Sequence, residues 1–349
     1  EVADPYRWLE DDNSDETARW VEAQNKITFT YLENIPQRNA IKERLTEMWD
    51  YEKVSAPFKR GEKYYFYKNE GLQNQSALYS SDELRGEAKV ILDPNTFSED
   101  GTVALSGTYF NHEGNLLGYA KSIGGSDWKE FYIKDLSTGE DRKDHLQWIK
   151  FSGMAWAGDG FYYSRYPKPE EGGELDASNE NAKVYYHQLG TEQKMDNLIF
   201  SDPENPKISN YVGTSEDEQF VYLYRTKGTS GTALYITKAK QGDHQFTTIM
   251  ENYDYDHGIV GNIGDTIYLK TNYKAKNWKL VKFSYDNPGP ENWKEVISEA
   301  EYPLNSVSIT GGKLLVKYSK NVSSRLYVYS LDGVLNKEVE LPTIGTASG

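Results

Sequence analysis

The sequence contains no cysteine among its 349 residues, so it has no disulfide framework, no thiolate metal ligand and no cysteine nucleophile. No apolar segment approaches the roughly 18 residues of a membrane span, and no signal-peptide pattern occurs at the start. Basic residues are also in deficit, since 39 Lys and Arg face 54 Asp and Glu, a formal net charge of −15. A surface of that sign repels phosphate. We therefore expect neither a membrane nor a nucleic acid as a partner.

Patterns that bind metals are scarce as well. No two histidines have the spacing that places two ligands on one face, so a zinc site would need ligands from distant segments. The acidic segment 93–101 lacks the glycine that a calcium loop needs at its sixth position. We expect neither a metal nor a cofactor. The five histidines are His112, His145, His187, His244 and His257.

A repeated pair of short apolar segments is the strongest pattern present. The second segment of each pair contains an anchor residue, and successive anchors are 53, 53, 50, 46 and 46 residues apart. A period of 40–50 residues with several short strands in each unit is typical of a β-propeller, whose blades bury their faces by stacking. A large sandwich with accidental regularity is the alternative. The anchors are Tyr79, Tyr132, Tyr185, Tyr235, Val281 and Tyr327.

Residues 1–50 fall outside this repeat and have a helical period. Ser14 is placed to cap a helix with an acidic first turn, and Pro36 breaks it before a second amphipathic stretch. The sequence therefore predicts an amino-terminal segment, 1–50, with two α-helices. It predicts an all-β domain, 51–349, with six recognisable propeller blades.

Seven short motifs along the whole chain resemble those of the prolyl oligopeptidase family, the proline-specific serine peptidases. Two lie at the amino-terminal end and five follow in the family's order. The motifs are DPYRWLED (4–11), WDYEKVSAP (49–57), YYFYKNEGLQNQ (64–75), LDPN (92–95), GSDW (125–128), KFSGMAW (150–156) and GTASG (345–349).

The resemblance implies a two-domain enzyme. One domain would be an α/β-hydrolase with a Ser-Asp-His triad, and the other a seven-bladed propeller that restricts access to short peptides, which are cleaved after proline. The amino-terminal segment would pack on the hydrolase domain. Because six units are recognisable here, we expect the last blade and the hydrolase domain to lie outside residues 1–349, in the same parent chain or in a companion chain.

A nucleophile motif is missing from the chain. A serine hydrolase of this fold needs the strained elbow Gly-x-Ser-x-Gly, and the two nearest approximations, at 124–128 and 228–232, each lack the final glycine. We therefore expect residues 1–349 alone to be catalytically inactive.

Two residues are expected to face substrate in the complete enzyme. By the motif match, Phe151 corresponds to the family's propeller phenylalanine, which helps to bind the residue that precedes proline. The alternative is an ordinary core ring at the start of a strand. Thr229 falls near another position that faces the cavity in the family.

Four further residues are expected at an interface between domains. Asp127 matches an aspartate that reaches an arginine of the hydrolase domain in the family, and Trp128 lies beside it. Trp20 and Trp49, on the two predicted helices, would contact the hydrolase domain.

A carbohydrate-binding or glycan-active propeller is the alternative function, because aromatic-rich propellers occur among sugar-active proteins. No sialidase-type repeat motif is present, however. The resemblance to bacterial members and the lack of cysteine favour a periplasmic or secreted bacterial enzyme, with the cytoplasm as the alternative.

Overall fold

The computed structural model describes residues 2–170, 173, 178–239 and 244–347, so the last two residues of the GTASG motif lie outside the described residues. Two α-helices come first, α1 (Asp15–Glu33) and α2 (Arg38–Trp49). The Ser14 side chain accepts a hydrogen bond from the Thr17 backbone N–H, 3.2 Å away, and two acidic residues occupy the first turn of α1. Both features stabilise a helix amino terminus. The predicted cap and the two predicted helices are confirmed.

Within the described residues the strands form six antiparallel sheets, each made from strands that are consecutive in the chain. The first sheet contains β1 (Lys53–Val54), β2 (Phe58–Arg60), β3 (Lys63–Asn69), β4 (Ala77–Ser81) and β5 (Ala88–Leu92). The second contains β6 (Val103–Phe110), β7 (Leu116–Ile123), β8 (Lys129–Asp135) and β9 (Asp141–Ile149). The third contains β10 (Ala155–Ala157), β11 (Gly160–Arg165), β12 (Lys183–Gln188) and β13 (Asn197–Phe200).

The remaining three sheets have the same order of strands. The fourth contains β14 (Ser209–Thr214), β15 (Phe220–Thr226), β16 (Ala233–Lys238) and β17 (Thr247–Met250). The fifth contains β18 (His257–Ile263), β19 (Thr266–Thr271), β20 (Lys279–Ser284) and β21 (Lys294–Ile297). The sixth contains β22 (Leu304–Thr310), β23 (Lys313–Lys320), β24 (Ser323–Tyr329) and β25 (Leu335–Val339). Short 3-10 helices occupy Arg7–Glu10, Pro94–Thr96, Gln193–Met195 and Pro290–Asn292.

The repeat found in the sequence matches these sheets strand for strand. The six anchor residues lie in β4, β8, β12, β16, β20 and β24, and the preceding apolar segments form β3, β7, β11, β15, β19 and β23. The predicted fold, an all-β propeller with six blades after two α-helices, is confirmed.

Apolar side chains fill the space between the fourth sheet and its neighbours, the third and fifth sheets. In β15, Phe220 and Tyr222 pack with residues of the fifth sheet, whereas Val221 packs with residues of the third sheet. Successive side chains of a strand point to opposite faces, so a strand covered on both faces needs a continuous apolar run. The inner strands therefore lack the apolar-polar alternation of a half-exposed sheet.

The chain divides into two compact units. One comprises Glu1–Pro57, Tyr65–Gly101 and Pro169–Ala177, and therefore contains both α-helices and most of the first sheet. The other comprises Phe58–Tyr64, Thr102–Lys168 and Ser178–Gly349, and therefore contains the second to sixth sheets. Among the described residues, no helix is long and apolar enough to cross a membrane.

Candidate functional site

Phe151 lies in the connection between β9 and β10 and has an unusual backbone. Its φ is +52°, and Trp148, three residues earlier, has a φ of +63°. Bulky side chains rarely adopt this left-handed conformation, which is strained and persists only where the surroundings enforce it. The Phe151 side chain is 45% exposed, so it is not the core ring that the alternative interpretation required.

The residue after Phe151 fixes this connection to the third sheet. The Ser152 hydroxyl accepts a hydrogen bond from the backbone N–H of Ser164, at 2.9 Å, and donates one to the carbonyl of Gly153, also at 2.9 Å. Ser164 lies in β11, a central strand of the sheet. The backbone that carries Phe151 is thus held against a rigid element.

The residue before Phe151 is a buried lysine. Lys150 is only 7% exposed, and its Nζ donates a hydrogen bond to Oδ1 of Asn179, 3.1 Å away. The same Nζ lies 4.2 Å from the centre of the Trp128 ring, a cation–π contact. Lys150 therefore joins three loops of the second unit, those that contain Trp128, Phe151 and Asn179.

Asp127 and Trp128 lie in the turn between β7 and β8, where Gly124 and Gly125 have φ values of +60° and +75°. The Trp128 backbone N–H donates to the Ser126 hydroxyl at 3.1 Å, which fixes the end of the turn. The Asp127 side chain is exposed. This turn and the connection that contains Phe151 lie at the same end of the second sheet, because alternate turns of an antiparallel meander share one end.

Aromatic rings complete the cluster around Trp128. The ring of Trp128 meets that of Trp148 edge to face, with centroids 5.6 Å apart, and that of Tyr166 at 6.5 Å. Lys168 Nζ lies 5.5 Å from the centre of the Trp148 ring. We call Trp128, Trp148, Lys150, Phe151 and Tyr166 the loop cluster. It contains two of the residues predicted from the sequence, Trp128 and Phe151, and a third, Asp127, directly precedes Trp128 in the chain.

Thr229 lies elsewhere, in the turn between β15 and β16. It is exposed, and its turn is fixed by a 2.7 Å hydrogen bond from the Gly231 backbone N–H to Oδ1 of Asp256. This turn has the same position in the fourth sheet as the Asp127 turn has in the second. No contact between the described residues joins Thr229 to the loop cluster.

Trp20 and Trp49 belong to the unit that contains the helices. Trp20, in α1, is 40% exposed and meets the ring of Trp8 edge to face at 6.3 Å. Trp49 ends α2, is 63% exposed, and has Lys53 Nζ 5.7 Å from its ring centre. Both helices present further exposed apolar side chains, which include Val21, Ile27, Phe29, Tyr31, Ile41, Leu45 and Met48.

In the second unit, a cavity of about 560 Å³ lies at the ends of the sheets that are opposite the loop cluster. It is lined by residues of the first two strands of several sheets and of the turns between those strands, among them His112, Tyr222 and Asn262. Glu218, in the same turn as the lining residue Asp217, accepts a 2.6 Å hydrogen bond from the Gly158 backbone N–H. The turns of neighbouring sheets are thus tied together around this cavity.

Lys150 belongs to the motif KFSGMAW but is not among the site residues predicted from the sequence, and neither are Trp148 and Asn179. A lysine inside the apolar run WIKF was the available signal. The contact that makes it informative spans 29 residues and depends on how two loops meet. Among the described residues, no group of three or more His, Asp and Glu side chains is arranged to hold a metal ion.

Comparison with known proteins places the chain in a family. Residues 1–349 match the family model described as the N-terminal β-propeller domain of prolyl oligopeptidase. The chain is 43% identical over 352 residues to the prolyl endopeptidase of Elizabethkingia miricola, covering all of this chain and 49% of that protein. It is 33% identical to prolyl oligopeptidase A of Amanita bisporigera, covering 95% of this chain and 48% of that protein.

A solved structure agrees with these matches. Prolyl oligopeptidase B of Galerina marginata, bound to a 25mer macrocyclization substrate, superposes with a TM-score of 0.90 at 28% identity, covering 99% of this chain and 52% of that chain. The present chain spans about half the length of the curated relatives that it matches. The chain therefore belongs to the prolyl oligopeptidase family and corresponds to the family's N-terminal β-propeller domain.

Proposed function

We propose that this chain is the propeller part of a proline-specific serine endopeptidase, which hydrolyses short peptides on the carboxyl side of proline. The observation that carries the proposal is the match of the whole chain to one half of a prolyl endopeptidase at 43% identity. This match favours a peptidase over a carbohydrate-binding or glycan-active propeller.

The chemistry of such an enzyme is acyl transfer by a serine, a histidine and an aspartate, with an oxyanion hole that stabilises the tetrahedral intermediate. The 349 residues contain no Gly-x-Ser-x-Gly elbow, so we assign these groups to the α/β-hydrolase domain. The propeller then contributes the walls of the substrate cavity and a size limit on the peptides that enter.

We assign Phe151 to the wall that receives the residue before proline. Its ring is partly exposed at one end of the second sheet, on a backbone held in a strained conformation. Strain of this kind is common at sites that bind ligands. Thr229, exposed at the same end of the fourth sheet, is assigned to the same cavity.

Asp127, Trp20 and Trp49 are assigned to the interface with the hydrolase domain. The exposed carboxylate of Asp127 would pair with an arginine of that domain, and a pair that loses its water on docking fixes the orientation of the domains. The apolar side chains on α1 and α2 form a surface of the type that marks a protein interface. Trp128, packed against Trp148, supports the Asp127 turn from within.

The proposal is tested with the full-length protein and a chromogenic peptide that releases its dye after proline. We expect activity in the full-length protein and none in residues 1–349 alone. Phe151→Ala should raise KM by roughly tenfold, because a hydrophobic contact to substrate is worth about 1–3 kcal/mol. Val322→Ala, a change at an apolar residue that is 94% exposed in the turn between β23 and β24, should leave KM unchanged. A full-length protein without activity on proline peptides would contradict the proposal.

We also keep two predictions from the sequence. One is a bacterial periplasmic or secreted location, which fractionation of the source cells would test. The other is the division into an amino-terminal segment, 1–50, and a propeller, 51–349, which limited proteolysis would test.

A further inference from the structure

Lys150 occupies a position that is unusual for a lysine. Its side chain is almost fully buried, and lysines are rarely so unless their charge is partnered. The partners here are the face of the Trp128 ring and the Asn179 amide oxygen, which belong to two different loops. Neither partner is adjacent to Lys150 in sequence, so the contacts fix the loops relative to one another.

Phe151 is held from both sides by these contacts. Lys150 fixes the preceding residue to the Trp128 and Asn179 loops, and Ser152 fixes the following residue to β11. Between them, Phe151 keeps a φ of +52°, which a free loop would relax. Lys150 and Ser152 therefore hold the backbone on both sides of Phe151.

We propose that Lys150 is a positioning residue that sets the enzyme's selectivity for the residue preceding proline. By docking on Trp128 and Asn179, it holds the Phe151 ring at the distance where a large side chain of the substrate packs against it. This inference rests on the proposed function and deepens it. Glycine before proline has no side chain to reach the ring, so its binding depends on Lys150 less.

The test uses the full-length enzyme and two chromogenic peptides that differ only in the residue before proline, which is phenylalanine in one and glycine in the other. The measured quantity is the ratio of kcat/KM for the two peptides. Lys150→Met keeps the length of the side chain and removes the charge. We expect the ratio to fall by roughly fivefold to tenfold, through a higher KM for the phenylalanine peptide.

Lys270 offers a matched control in another sheet. Its Nζ lies 4.3 Å from the centre of the Trp278 ring and donates a 2.6 Å hydrogen bond to the Asn305 carbonyl. Lys270→Met removes the same kind of cation–π contact and the same kind of hydrogen bond, from a lysine ammonium to an uncharged amide oxygen. We expect the ratio of the two peptides to stay at the wild-type value.

Two further variants keep the test decisive if Lys150→Met fails to fold. Asn179→Ala removes the hydrogen-bond acceptor of Lys150. Like Lys150→Met, it should lower the ratio, by roughly twofold to threefold. Lys150→Arg keeps a cation over the Trp128 ring and should restore part of the ratio. If the role of Lys150 were purely structural, its replacement would lower kcat/KM equally for both peptides and leave the ratio unchanged.

The outcomes separate the two proposals. If the wild-type enzyme cleaves after proline and neither Lys150→Met nor Asn179→Ala changes the ratio, the positioning role is wrong and the proposed function stands. A change of the same size in Lys270→Met would also overturn the positioning role. If the wild-type enzyme does not cleave after proline, the proposed function is wrong and this inference is wrong with it.

Discussion

The Nε2 atom of His187 lies 3.1 Å from Oδ1 of Asp144, and this contact joins the third sheet to the second. On the other side of the ring, Nδ1 lies 2.7 Å from Oδ1 of Asp196. All three side chains are buried. Burial alone lowers the pKa of His187, but the hydrogen bonds and charges of the two carboxylates outweigh it and raise the pKa to about 9.

The raised pKa of His187 predicts a loss of stability at alkaline pH. The pKa of His187 is higher in the folded chain than its usual 6.5, so its contribution is complete below pH 6.5 and disappears as the pH rises through 9. We expect the contribution of His187 to the free energy of unfolding to be about 3 kcal/mol larger at pH 6 than at pH 10.

Urea denaturation of the wild type and of His187→Gln at the two pH values measures this difference. Glutamine fills a similar volume and does not titrate, so the gap between the two proteins should shrink toward pH 10. A gap that stays constant with pH would show that the buried ring is not charged.

His257 predicts the opposite behaviour in acid. Burial lowers the pKa of His257 to about 4, and the charge of Asp256 offsets only part of this effect. Its Nδ1 lies 2.8 Å from the Thr271 hydroxyl, while Nε2 has no hydrogen-bond partner in the part of the chain that the structure describes. The folded ring is therefore neutral, and unfolding takes up a proton as the pH falls below 6.5.

We expect the contribution of His257 to the free energy of unfolding to fall by about 2–3 kcal/mol between pH 7 and pH 4.5. His257→Phe keeps an aromatic ring beside Trp293, whose ring centre is 5.9 Å away, and cannot titrate. Denaturation at the two pH values should show a smaller loss in the variant. Equal losses in both proteins would assign the acid sensitivity to other groups.

The strained backbone at Phe151 predicts a gain in stability from a substitution that lowers activity. Asparagine tolerates the left-handed conformation better than phenylalanine, and the ring is only half-buried. We expect Phe151→Asn to raise the free energy of unfolding by about 0.5–1 kcal/mol. In the full-length enzyme, the same change should raise KM.

Val322 supplies the control for this prediction. Asn321 and Val322, with φ values of +50° and +62°, form the turn between β23 and β24, where glycine is the preferred second residue. Val322→Gly should stabilise the chain by a similar amount and leave KM unchanged. If Val322→Gly also raised KM, the rise in KM caused by Phe151→Asn could not be assigned to the loss of the Phe151 ring.

The strands could be predicted from the sequence because the apolar pairs and their spacing are local and repeated six times. The cap at Ser14 was predictable for the same reason, since the residues that form it lie within one turn. The contacts of Lys150 with Asn179 and of His187 with Asp144 were not, because they span 29 and 43 residues. Such contacts depend on how neighbouring sheets and loops pack together, and the sequence period does not predict that packing.

The last prediction concerns the exposed apolar side chains of α2. Trp49 is 63% exposed in this chain, although tryptophan usually buries most of its ring. In residues 1–349 alone, Trp49→Ala should change the free energy of unfolding by less than about 0.5 kcal/mol, because little packing is lost at an exposed site.

In the full-length protein the same substitution should cost about 2–4 kcal/mol, because a tryptophan buried between domains is a typical anchor of an interface. Met195, which is 66% exposed in the unit that contains the second to sixth sheets, is the control. Met195→Ala should have the same small effect in both proteins. Denaturation of the two variants in both lengths of chain gives four values. If Trp49→Ala costs no more in the full-length protein than in the shorter chain, the hydrolase domain does not cover α2, and the assignment of Trp49 to the interface is wrong.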